Sequence, residues 1–326
     1  MTRRRQYLTP RRMFLVLFTA ALIAFPLVVK QGSLHRLMIL VFLYALLGEA
    51  WNILGGFTGQ VSLGHAVYFG VGAYTSTLLL VKLGITPWVG MLAGGLVATI
   101  LSQIIGYPCF RLRGHYFVIA TIVLAELVQI LFINWKWAGG AIGISLPLLP
   151  ESWLNFEFNS SKLPYYYISL SLLATVVGAT YLIVKSKAGF YFRAIKEDSD
   201  AARSLGINIT GYKMLAMAIS AFFTGVGGVF YAQFVLYVSP DNVLQFSLST
   251  LAMLIPVLGG IGLLWGPVLG AFILIPMSEF TRIYLSGAGS AIDLVVYGLL
   301  IVLVAVFEPR GLLALPDRLR RGGRAR

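Results

Sequence analysis

The sequence predicts an all-α, polytopic transmembrane helical bundle. Three observations carry that reading. Of 326 residues, 58% are hydrophobic and only 11% charged, against about 25% charged in a soluble domain. The mean hydropathy is +0.85. Long apolar runs recur at the roughly 20-residue length that crosses a bilayer. So few charges cannot clothe a water-soluble body of this size. That excludes a soluble enzyme, a nucleic-acid-binding domain and a disordered chain.

The first apolar run, 13–29, lacks a small-x-small cleavage site and reads as a retained span. Further spans are expected at 34–54, 61–81, 87–107, 115–135, 165–184, 213–236, 248–264, 266–285 and 291–307. That makes about 10 spans, or eight if the Gly- and Pro-rich stretches 55–72 and 256–270 are broken or re-entrant. These two stretches lie in opposite halves of the chain, a pointer to an inverted repeat with interrupted helices. The pairs Gly55 and Gly59, Gly90 and Gly94, and Gly266 and Gly270 have the small-xxx-small spacing that permits close helix approach.

Charge then orients the bundle. With ten spans and both termini inside, 19 of the 25 Lys and Arg residues fall on the inner side. They sit in 1–12, in 108–114, in 185–213 and in 309–326. Only Lys30, Arg36, Lys82, Lys136, Lys162 and Arg282 fall outside. This is a strong positive-inside asymmetry. The whole chain, 1–326, reads as one integral membrane domain. Its outer segment, 136–164, carries Trp137 and Trp153 and reads as a packed cap or a docking surface for an external partner. Cys109 is the sole cysteine and the three histidines are scattered, so neither a disulfide nor a metal site is expected.

The inner segment 185–212 is predicted to hold a short helix. Ser199 or Asp200 would cap it, Ala201 and Ala202 would begin it, and Gly206 or Asn208 would end it. Small residues, scattered charge and a glycine stop suit a helix that seats in another protein's groove. An ordinary amphipathic connector is the plainer alternative.

The run Ala201-Ala-Arg-Ser-Leu-Gly-Ile-Asn208 resembles the coupling segment of permeases from ATP-binding cassette importers. The stretch from Trp51-Asn-Ile-Leu-Gly-Gly through Gly59-Gln-Val-Ser-Leu-Gly-His65 to Tyr74 resembles the branched-chain amino acid permease family. So do Arg111-Leu-Arg-Gly-His-Tyr-Phe117, Gly259-Gly-Ile-Gly262 with Trp265-Gly-Pro267, and Phe307-Glu-Pro-Arg-Gly-Leu312. Together they cover about 40–313, and the length resembles the larger of that family's two membrane subunits. The resemblance implies a multi-pass protein of the bacterial inner membrane with both termini cytoplasmic. It implies partners: a second, smaller permease, two cytoplasmic ATPases and a periplasmic binding protein. Nucleic acid is not among them. The chain has no G-x-x-x-x-G-K-[ST] motif, so ATP would be hydrolysed by the partner subunits, and this chain would bind no cofactor and be no enzyme. The family's coupling pattern begins Glu-Ala-Ala. Here Ser199 and Asp200 precede the alanines, so the acidic position is only loosely matched. The coupling residues would be Arg193, Lys196, Asp200, Ala201, Ala202, Arg203 and Gly206.

Ionisable groups inside lipid cost about 2.5–3.5 kcal/mol each on insertion scales and usually face a bundle interior. Glu49, Asn52, Gln60, Ser62, His65, Tyr68, Tyr74 and Glu126 are the expected lining of a substrate path. Interhelical hydrogen bonding is the competing role for the polar ones, core packing for the aromatics. Glu49 is either protonated or paired with His65. Glu279 has Arg282 three residues on, a default local ion pair. Two alternatives to amino acid import stand beside it: the same importer class carrying urea or short amides, and a proton-coupled carrier using Glu49, His65 and Glu126 as a relay.

Overall fold

A computed structural model describes residues 10–29, 31–112, 114–158, 161–284, 298 and 311–314. The helices are α1 (Pro10–Val28), α2 (Gly32–Thr58), α3 (His65–Leu83), α4 (Pro87–Cys109), α5 (His115–Asn134), α6 (Leu163–Lys185), α7 (Lys187–Glu197), α8 (Ser199–Ser204), α9 (Ile209–Val235), α10 (Pro240–Val243), α11 (Phe246–Gly259) and α12 (Gly266–Tyr284). Among the described residues, seven helical units are long and apolar enough to cross a membrane: α2 to α6, α9, and α10 with α11. Nine of the ten expected spans coincide with helices. The tenth, 291–307, lies outside the described residues, as do 1–9, most of the basic C-terminal stretch and the Arg282 side chain.

α2 is the central post. It packs on α6, α9, α11 and α12, and from Ile39 to Thr58 nearly every residue is buried. Its second half carries Glu49, Asn52, Gly48, Gly55 and Gly56, polar groups that avoid hydrocarbon and small residues that admit neighbouring helices, so it ends up surrounded. α3, α4 and α9 form a second tight group. Glycine sets the approach there: a Cβ on Gly228 would lie 1.9 Å from the Phe69 carbonyl oxygen, and one on Gly94 would lie 2.9 Å from that of Gly72. α5 lies at the edge, with only Phe117, Thr121, Ala125 and Val128 buried.

The two interruptions are shorter than expected. The first is confined to 59–64 and the second to 260–265. Gly59, at φ 71°, caps α2 in the left-handed conformation, which only glycine adopts cheaply. Pro256 and Gly260 end α11 five residues before the expected limit of that span.

At one end of the bundle, β1 (Ile144–Ser145) pairs antiparallel with β2 (Tyr237–Val238). Trp88 donates its indole N–H to the Trp153 carbonyl at 2.6 Å, and Phe156, fully buried, packs against Trp88, Tyr165 and Phe230. Residues 136–158 are therefore a packed cap. Trp137, Leu148, Trp153 and Leu154 remain exposed on its surface.

Candidate functional site

The segment between α2 and α3, together with the first turn of α3, is stitched to four helices. Trp51 donates to the Ser62 carbonyl at 2.7 Å. The Leu63 N–H donates to Thr121 of α5 at 3.1 Å, and the Ala66 N–H to Ser249 of α11 at 2.7 Å. His65 Nε2 lies 2.8 Å from the Ser220 hydroxyl of α9, and its ring meets the edge of Tyr68. Ser62 and His65 are fully buried, Tyr68 nearly so. In this chain they form a junction between helices, the interhelical role that competed with a path lining. Gln60, half-buried, stays local and donates to the Thr58 carbonyl.

Asn52 is also spent internally. Its Oδ1 accepts from the Gly262 N–H at 2.8 Å, and its Nδ2 donates to the Leu263 carbonyl at 3.1 Å. These two bonds fix the amide orientation, since only this one matches a donor and an acceptor. A Cβ on Gly56 would strike Asn52 Oδ1 at 1.8 Å, so Gly56 is what allows the 260–265 loop to close on α2. Glu49 is fully buried with Thr180 and Asn52 beside it. Pairing with His65, the alternative to a protonated Glu49, does not form: His65 is bonded to Ser220 instead. Tyr74 is buried against Phe132 of α5, with ring centroids 4.6 Å apart. Glu126 alone of the eight is exposed, about midway along α5. No hydrogen bond among the described residues links Glu49, His65 and Glu126, so the proton relay lacks its connections.

The 185–212 segment holds two helices rather than one. α7 was missed, although Gly189, Phe192 and Ile195, all buried, sit three apart and mark a helical face. α7 is anchored by Arg193, which donates to the Val184 carbonyl at the end of α6 at 2.9 Å. Lys196 lies over the junction, where a Cβ on Gly59 would come 3.2 Å from its Cγ and one on Gly262 3.2 Å from its Nζ. The cap of α8 is Asp198, not Ser199 or Asp200. Its Oδ1 accepts from the Asp200 and Ala201 N–H groups at 2.8 and 3.0 Å. Gly206, at φ 80°, ends the helix as expected, while Asn208 caps α9 by accepting from the Gly211 N–H. Ala202 faces inward. It is 2% exposed and packs with Ile195 and Ile209, so it cannot offer a partner its bare surface. Asp200, Ala201, Arg203 and Gly206 are exposed, as are Leu205 next to Gly206 and Phe190 on α7, at 81% and 65%.

A helical bundle with seven helical units able to cross a membrane among the described residues, a polar junction at one end and a cap at the other defines a multi-pass membrane protein. Residues 33–305 match the family described as branched-chain amino acid transport system / permease component. The chain belongs to that family. It is 29% identical to the high-affinity branched-chain amino acid transport system permease protein LivM of Salmonella typhimurium, over 97% of this chain and 78% of that protein. The identity to LivM of Escherichia coli is 29%, covering 93% and 75%. Similarity extends to the permease protein LivH of Salmonella typhimurium, 28% identical over 84% of this chain and 92% of that one. No solved structure matches the chain.

Proposed function

We propose that this chain is the membrane permease subunit of an ATP-driven importer that moves branched-chain amino acids inward from an external binding protein. The observation that carries this is the family match across 33–305. Similarity to both LivM and LivH supports a companion permease, and two cytoplasmic ATPases would power the pair. In this reading the entire chain is one permease domain in the bacterial inner membrane with cytoplasmic termini and ten spans, the last at 291–307. The 136–164 cap faces outward.

The α7–α8 segment is the ATPase-docking element. Support comes from Leu205, exposed and apolar among the exposed Ala201, Arg203 and Gly206 of α8 and its end, and from Phe190, exposed on α7. Apolar groups on an inner surface segment mark an interaction site better than charges do. Through Lys196 and the Asn52 clamp, α7 reaches both interruptions of the bundle, so a push on it is delivered to α2, α3 and α12.

The test is uptake of labelled leucine by vesicles containing this chain and the subunits that co-purify with it. Uptake should require internal ATP and an external binding protein. Uptake by this chain alone under a pH gradient would overturn the reading.

A further inference from the structure

We propose that the outward face formed by α5 and the α10–α11 corner is this chain's wall of the cargo path, where Glu126, Gln129 and Asp241 receive the ammonium end of a zwitterionic aliphatic amino acid. The proposal rests on the import reading above and gives it a site.

Glu126 is exposed near the middle of α5 and makes no hydrogen bond or ion pair among the described residues. Its neighbours on that face are apolar: Val123, Leu127 and Ile130 are each about half exposed. A carboxylate halfway along a span does not face hydrocarbon; it faces protein or a water-filled space. One turn further toward the cap, Gln129 donates to Asp241 Oδ1 at 3.3 Å, and Asp241 is exposed at the start of α10. The polar stripe therefore runs from the cap end of the bundle down to its middle.

A separate observation lies behind the stripe. The Tyr74 hydroxyl is buried without a hydrogen-bond partner. Its ring rests on Phe132 of α5, with Tyr237 and Asp241 nearby. A buried hydroxyl is thus left unspent at the carboxylate end of the stripe.

The chemistry selects the ligand. Two carboxylates and an amide, with no Lys or Arg on α5 or α10, favour a cation and repel an anion. The apolar residues beside Glu126 accept an aliphatic side chain. An amino acid presenting its ammonium group satisfies both. Contacts of this kind, few and partly open, let cargo leave as well as enter. The companion permease would supply the opposite wall.

The experiment uses the assembled importer with Cys109 replaced by serine and Ile130 by cysteine. A cationic methanethiosulfonate reagent should react at Ile130→Cys at least tenfold faster than an anionic one. Leucine delivered by the binding protein should slow it. The preference should fall to about twofold or less in Glu126→Gln with Asp241→Asn, and persist in Glu126→Asp. Glu126→Gln should lower leucine uptake at least tenfold while the ATPases still co-purify. No reaction with either charged reagent means a face closed to water and overturns the proposal, as do equal rates or unchanged uptake in Glu126→Gln. If the unsubstituted importer does not carry leucine at all, the import reading fails, and the charge preference still reports whether a cation path lies on this face.

Discussion

Asn52 and Ala202 both carry sequence expectations that burial revises. Asn52 looked like path lining because an amide inside lipid needs a reason. The reason is the 260–265 loop, 210 residues away, whose backbone it satisfies at two points. Asn52→Ala should leave the Gly262 N–H without its partner, at about 1–3 kcal/mol for a buried unpaired group. The check is a lower thermal midpoint in detergent, with Asn52→Asp also impaired because it cannot donate to Leu263. Ala202 looked like bare docking surface, but its methyl group fills a small cluster with Ile195 and Ile209. Ala202→Trp should therefore overpack this chain itself, at about 1–3 kcal/mol, and lower its thermal midpoint before any partner is added. Leu205→Asp, on a residue 81% exposed, should leave the midpoint unchanged and abolish ATPase co-purification. If Leu205→Asp retains the ATPases, α8 is a solvated connector.

Elements were the most legible level, for physical reasons that also mark where legibility stopped. A run of 20 apolar residues has few options in lipid beyond a helix, because every backbone polar group must be paired within the segment. Nine helices consequently fall where hydropathy placed them. The interruptions at 59–64 and 260–265 were legible as glycine clusters, but their narrow limits depend on Asn52, Trp51 and Ser249, contacts distant in sequence. α7 escaped because its buried face is three residues in eleven, too weak a period to stand out beside strong spans. Of the expected path residues, Glu126 could not be told from the buried ones, since periodicity does not say which helix lies at the edge of the bundle. The glycines separate in the same way. Gly228 and Gly178 look alike in sequence, yet a Cβ on Gly228 meets backbone at 1.9 Å while one on Gly178 meets nothing within 4 Å. Gly228→Ala should force α3 and α9 apart and lose the monodisperse peak on size exclusion. Gly178→Ala should be neutral or stabilising by about 0.5–1 kcal/mol. Equal behaviour of the two would refute the close α3–α9 approach.

At the scale of the molecule, two clusters of contacts fix which loops share a side. Gly59, Lys196, Gly262 and Gly311 converge at one end, where a Cβ on Gly311 would touch the Gly260 backbone at 2.5 Å. Ile144 and Ser145 pair with Val238 and Tyr237 at the other, with Trp88 bonded to Trp153 nearby. The sides are thus set relative to each other, and only the absolute direction rests on charge. The 185–213 stretch holds six of the Lys and Arg residues, whereas 136–164 holds Lys136 and Lys162 alone, so the positive-inside rule predicts a cytoplasmic side for α7 and α8. Cysteine labelling in right-side-out vesicles tests this, with Cys109→Ser as the background so that each introduced cysteine is the chain's single thiol. Ser152→Cys, exposed on the cap, should be modified by an impermeant maleimide from outside. Ser204→Cys, exposed at the end of α8, should be modified only after permeabilisation. The reverse pattern would turn the whole bundle over and take the ATPase-docking proposal with it. Modification of both from one side would instead break the alternation of the helices, because an odd number of crossings separates the two positions: α6 alone lies between the cap and α7.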